Sequence, residues 1–163
     1  MVIEVELLGV RVEPPSNTPV VHLRELGGRG RNLTIFIGGP EATAIAFALE
    51  GVDTPRPLTH DLFCTVLDDV DADLGQVVIN DLRDTTYFAV LHLEHDGRQL
   101  QISARPSDAI ALAVRVACPI YVTDEVMDAA GFVEESDGES PPEDVVEEFR
   151  QFIDNVSPED FGS

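Results

Sequence analysis

Apolar and polar residues alternate loosely along the first 37 residues, as they do in strands that bury one face. Turn-forming residues divide this region into three predicted strands, at 2–13, 19–26 and 33–37. The spacing then becomes helical, which predicts helices at 41–51 and 60–69. The first helix consists mainly of alanine and larger apolar residues, so we expect it to be buried. Thr59 is the expected N-cap of the second.

A similar order of elements returns in the second half of the chain. The predicted elements there are strands at 77–82, 86–94 and 99–103, a small-residue helix at 107–117, a short strand at 119–122, and a helix at 124–130 that Thr123 caps. Residues 65 positions apart match in the helices, for example Ala44 with Ala109 and Ile45 with Ile110. We therefore predict an α+β fold built from a duplicated β-β-β-α-α unit, with mainly antiparallel sheets and buried small-residue helices.

The composition changes after Phe132, so residues 1–132 form the predicted domain. Residues 133–144 are acidic and contain Gly and Pro, which is typical of a linker without fixed structure. Apolar residues then recur at helical spacing in 145–163, which predicts an amphipathic helix that docks on the domain or on a partner, followed by a tail.

The formal net charge is −21, and it is uneven: residues 124–163 contain fourteen acidic residues and one arginine. A protein that binds nucleic acid through a broad basic surface is therefore excluded. Phosphate chemistry here must depend on a local arginine cluster or on metal ions.

The two cysteines lie in apolar contexts typical of reduced, buried thiols, and neither a leader peptide nor a long apolar segment is visible. We expect a cytoplasmic protein with no membrane partner.

Two polar motifs begin with Arg-Pro and stand at predicted helix starts, one at 56–62 and one at 105–110. Free amides at a helix N-terminus, together with an arginine, can hold a phosphate. Arg56, Arg105 and Ser107 are therefore candidate substrate-binding residues. The alternative is structural: Thr59 and Ser107 would cap the helices, and each arginine would pair with an aspartate.

Catalytic and metal-binding candidates lie in the same motifs. His60 is the candidate general acid or base, because it stands in a polar turn beside Asp61, which could orient its ring. Asp108 is the third catalytic candidate. If the duplication brings the helix starts together, Glu41, Asp61 and Asp108 could supply oxygen ligands for Mg²⁺ or Mn²⁺.

Five segments, in order, resemble the bifunctional nuclease family, whose members are described as cleaving both DNA and RNA: EATAIAFAL (41–49), RPLTHDL (56–62), TTYFAVL (85–91), ARPSDAIALAVR (104–115) and PIYV (119–122). The C-terminal EEFRQFIDNVSPEDF resembles the tail of actinobacterial members. The resemblance implies an α+β domain, a homodimer and nuclease activity. It matches at Glu41, Arg56, His60, Asp61, Arg105, Ser107 and Asp108, whose roles come from the chemistry above.

Three functions follow from these observations. The first is a divalent-metal-dependent nuclease acting on DNA, RNA or both. The second is a non-catalytic dimeric interaction or regulatory module, in which the Arg-Pro turns are structural and the acidic tail meets a basic partner. The third is a domain that binds small anions without turnover.

Overall fold

The computed structural model describes residues 1–135 and 150–151. Most of the predicted linker and terminal helix therefore lie outside the described residues. The elements are β1 (Val2–Glu13), β2 (Thr18–Glu25), β3 (Asn32–Phe36), α1 (Gly39–Glu50), α2 (Thr59–Asp69), β4 (Ala72–Arg83), β5 (Thr86–His95), β6 (Arg98–Ala104), α3 (Pro106–Val116), β7 (Ile120–Thr123) and α4 (Asp124–Ala130).

The described strands form one seven-stranded sheet in the order β3-β2-β1-β7-β4-β5-β6. Each half of the chain contributes an antiparallel meander of three strands, and β7 joins the two meanders. Strand β7 is antiparallel to β1 and parallel to β4. The predicted α+β class and mainly antiparallel pairing are confirmed. The internal duplication stays a prediction, because β7 has no counterpart between the helices of the first half.

The small-residue helices α1 and α3 pack against each other and are buried, as predicted. In α3, the side chains from Ala109 to Ala113 are essentially inaccessible to solvent. Alanine allows close approach of the backbones, while the larger side chains of Ile110 and Leu112 belong to the same hydrophobic core. Helix α1 ends at Gly51, whose φ of 65° is the left-handed conformation that glycine adopts without strain.

The helix starts only partly follow the prediction. Thr123 caps α4 as expected, and its hydroxyl accepts from the Val126 amide at 3.4 Å. The predicted N-cap of α2, Thr59, is wrong, because Leu58 is the N-cap and Thr59 is already helical. The carboxylate of Asp61 reaches back to accept the Leu58 amide at 2.9 Å, which satisfies a free donor and closes the turn one residue earlier.

Strand β4 also begins earlier than predicted, at Ala72. Asp71 has a φ of 55°, so the chain reverses directly after α2, and the side chains of Ala72 and Leu74 then both point into the core.

In the described part of the chain, no helix is long and apolar enough to cross a membrane. Cys64 and Cys118 are free, partly buried thiols whose pKa values are raised by burial.

Candidate functional site

A cleft of about 570 Å³ lies where the N-terminal ends of α1, α2 and α3 meet the end of strand β6. Each of these helices contributes residues from its first turn or N-cap to the lining. The lining comprises Pro40, Glu41, Ala44, Leu58, Thr59, His60, Phe63, Leu91, Ile102, Ser103, Ala104, Arg105, Asp108 and Leu112. Because helix N-termini carry partial positive charge, their convergence favours an anion despite the negative net charge of the chain.

Four of the lining residues form one connected polar network: Glu41, His60, Arg105 and Asp108. Nε2 of His60 is 2.9 Å from Oδ1 of Asp108. Arg105 donates from Nε to Asp108 Oδ2 at 2.8 Å, and from Nη2 to Oδ1 at 3.1 Å. Its Nη1 donates to Glu41 Oε1 at 3.2 Å. The network thus links the first turns of three helices that are distant in sequence.

Local structure sets the position of each network residue. Arg105 is the N-cap of α3 and follows β6 directly, in extended conformation, so its side chain can fold back over Asp108 in the first helical turn. Pro106 fixes the first helical position, where its missing amide proton is not needed. Glu41 lies over Gly38, and its Oε2 occupies the space that a Cβ there would fill.

The network shifts the pKa values of Asp108 and Arg105 in the directions that favour their charged forms. Burial raises the pKa of Asp108, but hydrogen bonds from Arg105 and His60 outweigh it, so the pKa of this carboxyl lies below its ordinary value. The hydrogen bond to Asp108 is the main cause of a raised pKa for Arg105. The Arg105 side chain is 63% exposed and uses three of its five N–H donors within the network. Two donors remain to bind an anion in the cleft.

His60 has the surroundings of a general base. Its side chain is only 15% exposed, and Nδ1 makes no hydrogen bond to any described residue. When the neutral ring donates from Nε2–H to the Asp108 carboxylate, Nδ1 carries the lone pair. A carboxylate that fixes the tautomer and stabilises the imidazolium is the arrangement that histidine bases use elsewhere.

Asp61 does not belong to this cleft. It lines a separate cavity of about 240 Å³ on another side of α2. Its Oδ1 accepts from Arg115 Nε at 2.7 Å, while Oδ2 accepts the Leu58 amide. Adjacent helical residues point about 100° apart, which explains why Asp61 does not orient His60. The structure therefore gives Asp61 a structural contact, and Asp108 takes the position beside the imidazole that we predicted for Asp61.

Arg115 is a residue that sequence reasoning missed. Its side chain is 10% exposed, and it also donates from Nη1 to the Ala111 carbonyl at 2.9 Å. The pair Asp61–Arg115 ties α2 to α3 on the side away from the cleft. It thereby fixes the relative position of the helices that carry His60 and Asp108. The available signal was that Arg115 is the only basic residue within α3.

The two other predicted substrate-binding residues do not line the cleft. Arg56 is exposed and precedes α2, and its side chain forms no ion pair with a described residue. Ser107 is buried inside the first turn of α3. It is not the cap of that helix, because the chain enters the helix through Arg105. Contact of Arg56 or Ser107 with substrate stays a prediction.

The three predicted metal ligands do not converge. Within residues 1–135 and 150–151, no group of three or more His, Cys, Asp or Glu side chains is arranged to hold a metal ion. Glu41 and Asp108 both face the guanidinium of Arg105, which occupies the position between two carboxylates that a cation would take. The donor set of this arrangement therefore does not fit a resident divalent ion.

The Asp61–Arg115 pair gives a pH-dependent prediction for stability. Burial raises the pKa of Asp61, but Arg115 and the Leu58 amide lower it below its ordinary value. The pair therefore stabilises the fold above the unfolded pKa of about 3.9, and this contribution is lost as pH falls through the folded pKa. We expect Arg115→Met to cost about 1–2 kcal/mol at pH 7, less than for a fully buried pair, because Asp61 is 40% exposed.

Urea unfolding of wild type and Arg115→Met at pH 7 and at pH 3.5 measures this difference. The gap between the two proteins should narrow at the lower pH. Arg83→Met is the matched control, since the pair Arg83–Asp81 is largely exposed and should change stability by less than about 0.5 kcal/mol. A gap that is the same at both pH values would show that Arg115 acts by packing alone.

Comparison with known proteins assigns most of the chain to one protein family. Residues 21–135 match the bifunctional nuclease domain. Two proteins of Mycobacterium tuberculosis, "Uncharacterized protein MT1877" and "Uncharacterized protein Rv1829", are each 47% identical to this chain over 163 residues, with 97% of both chains covered.

Proposed function

Because the chain belongs to the bifunctional nuclease domain family, we propose that it hydrolyses phosphodiester bonds of DNA, RNA or both in the cleft between α1, α2 and α3. One observation carries the proposal: the Asp108 carboxylate lies within hydrogen-bonding distance of both the His60 imidazole and the Arg105 guanidinium, and all three residues line one cleft. These are the groups that proton transfer and phosphate binding require.

In the proposed reaction, Arg105 binds two non-bridging oxygens of the scissile phosphate through the donors that the network leaves free. The guanidinium fork matches the geometry of a phosphate better than an ammonium group does. The helix ends at the cleft add partial positive charge where the phosphorane gains negative charge. Arg105 remains ion-paired with Glu41 and Asp108, which keeps the fork oriented before substrate arrives.

His60 performs the proton transfers. Its Nδ1 takes a proton from the attacking water as the new P–O bond forms, and the imidazolium is stabilised by the Asp108 carboxylate. The bond to the leaving oxygen then breaks, and that oxygen receives a proton from the imidazolium. The imidazole is neutral again at the end of the cycle, because the proton that it took from water has passed to the leaving oxygen. No covalent intermediate with the protein is formed.

The prediction of Mg²⁺ or Mn²⁺ is separate from this mechanism, and no step passes through a cation. A chelator added to the purified protein tests it. Loss of cleavage that either ion restores would support a cation delivered with the substrate or bound after Arg105 moves. Cleavage that is unaffected by chelator would end the metal prediction and leave the roles of His60 and Arg105 intact.

The guanidinium itself is tested by Arg105→Lys. Lysine keeps the charge but loses the fork, so we expect kcat/KM for a labelled oligonucleotide to fall by about tenfold or more. Arg98→Lys is the matched control, since Arg98 is exposed at the start of β6 and lies outside the cleft. Equal rates for the two variants would remove Arg105 from the proposed site.

A homodimer is the expected assembly from the family resemblance. Sedimentation equilibrium of the purified chain tests it, and a monomer at all concentrations would contradict it.

The second candidate function is a non-catalytic interaction module. It is favoured by the saturation of the network, because every carboxylate in it is already paired, and by the net charge of −21. Under this view the network only holds three helices together. The melting temperature of Arg105→Ala separates the interaction module from the nuclease. A module that uses the network structurally should be destabilised by this substitution. A nuclease should lose cleavage and keep its stability.

A further inference from the structure

The apolar part of the cleft is larger than phosphate hydrolysis requires. Besides the polar network, the lining includes the apolar side chains of Ala44, Phe63, Leu91, Ile102 and Leu112. Leu91 and Ile102 are directly paired across β5 and β6, so they form a continuous apolar floor. Phe63 and Ile102 are 39% and 43% exposed, and exposed apolar side chains that lie together often mark a binding site.

This surface lies next to the phosphate-binding arginine. The cleft volume of about 570 Å³ falls in the range of roughly 300–1,000 Å³ of pockets that hold small molecules. Such a space accommodates one nucleotide, whereas a base inside a duplex is stacked and cannot reach it. The ring of Phe63 offers the kind of face on which any base can stack, whatever its sequence.

We propose that the substrate is an unpaired strand, with one base seated against Phe63 and Ile102 while the adjoining phosphate lies at Arg105 and His60. This inference rests on the proposed nuclease function and specifies its substrate class. The same site serves DNA and RNA, because the contacts are to a base face and to a phosphate.

The charge of the protein points in the same direction. Double-stranded DNA carries about one negative charge per 1.7 Å of axis, and a single strand carries fewer. With a net charge of −21, the protein repels a duplex more strongly than a single strand, and the cleft offers one arginine with two remaining donors rather than a basic track. Binding energy therefore has to come from the base.

The test compares kcat/KM for labelled single strands of DNA and of RNA with kcat/KM for duplexes of the same sequence. A third substrate is the same DNA strand with abasic sites, which keeps every phosphate and removes the base. Single strands should be cleaved at least about tenfold faster than duplexes and abasic strands, as expected for loss of one stacked base.

Phe63→Ala provides the second arm, with Leu62→Ala as its control. Leu62 is exposed on the same helix but lies outside the cleft lining. Phe63→Ala should raise KM for a single strand by about tenfold with little change in kcat, and it should not affect the abasic strand. Leu62→Ala should match wild type in both constants. The abasic comparison needs no variant, so it remains decisive even if Phe63→Ala folds poorly.

The outcomes separate the two proposals. Cleavage of duplex and abasic strands as fast as of intact single strands would overturn the unpaired-strand inference and leave the nuclease function standing. Equal KM values for Phe63→Ala and Leu62→Ala would also overturn the unpaired-strand inference and leave the nuclease function standing. Absence of cleavage of every substrate by wild type would overturn the proposed function itself.

Discussion

Replacing His60 with alanine is expected to lower the rate of phosphodiester cleavage by about 100-fold to 10,000-fold. The imidazole is the only group in the described cleft with a nitrogen lone pair that the network leaves free, so its loss removes the proposed base and acid together. Stability should change little, because Asp108 keeps its two hydrogen bonds from Arg105 and is not left buried without a partner.

His95→Ala is the matched control for this experiment. His95 lies at the end of β5, beside Asp96 and outside the cleft, so the same chemical change there should leave the rate within about twofold of wild type. Both variants are purified in parallel with wild type. Cleavage that survives in His60→Ala at the level of the control would identify a contaminating nuclease or a different site.

Ile110→Ala should destabilise the fold by about 2–5 kcal/mol. Ile110 is completely buried in α3, the helix whose first turn carries Arg105 and Asp108. Truncation would open a cavity in the hydrophobic core that close-packed neighbours cannot fill. Because domains are typically stable by about 5–15 kcal/mol, the variant would lose a large share of its margin.

Urea unfolding measures this loss, with Ile110→Val as the graded control at about 0.5–1.5 kcal/mol. Leu49→Ala, which removes an exposed side chain from α1, should cost much less. Similar losses for Ile110→Ala and Leu49→Ala would mean that α3 is not the centre of the core.

Local elements were predictable because their signals are local. The alternation in β1 to β3, the Asp96-Gly97 turn between β5 and β6, and the apolar helix at Ala109 all have periodicities or turn residues that act within a few positions. The position of β7 was not predictable in this way. Ile120 pairs with Val5 on one side and with Val77 on the other, and such long-range register depends on the whole sheet.

Some residues of the candidate site were predictable from local signals, but the way in which their side chains meet was not. The helix starts that carry His60, Arg105 and Asp108 could be recognised from their turn-forming and polar residues. That the starts of α2 and α3 meet in one cleft was only a conditional expectation. Which face each residue occupies was the missing information. Asp61 is adjacent to His60 in sequence, yet its carboxylate turns toward Arg115, because helical neighbours diverge.

His60, Asp108 and Arg105 together form the proposed catalytic centre of a nuclease. The most direct test is the single-turnover cleavage rate of a labelled single strand by Asp108→Asn, purified beside wild type and matched to it in melting temperature. The substitution preserves the shape of the residue and removes the charge that contacts both partners. We predict a loss of about 100-fold or more, by analogy with other histidine–carboxylate pairs. A rate within about twofold of wild type in a folded protein would show that the charge of Asp108 has no part in cleavage.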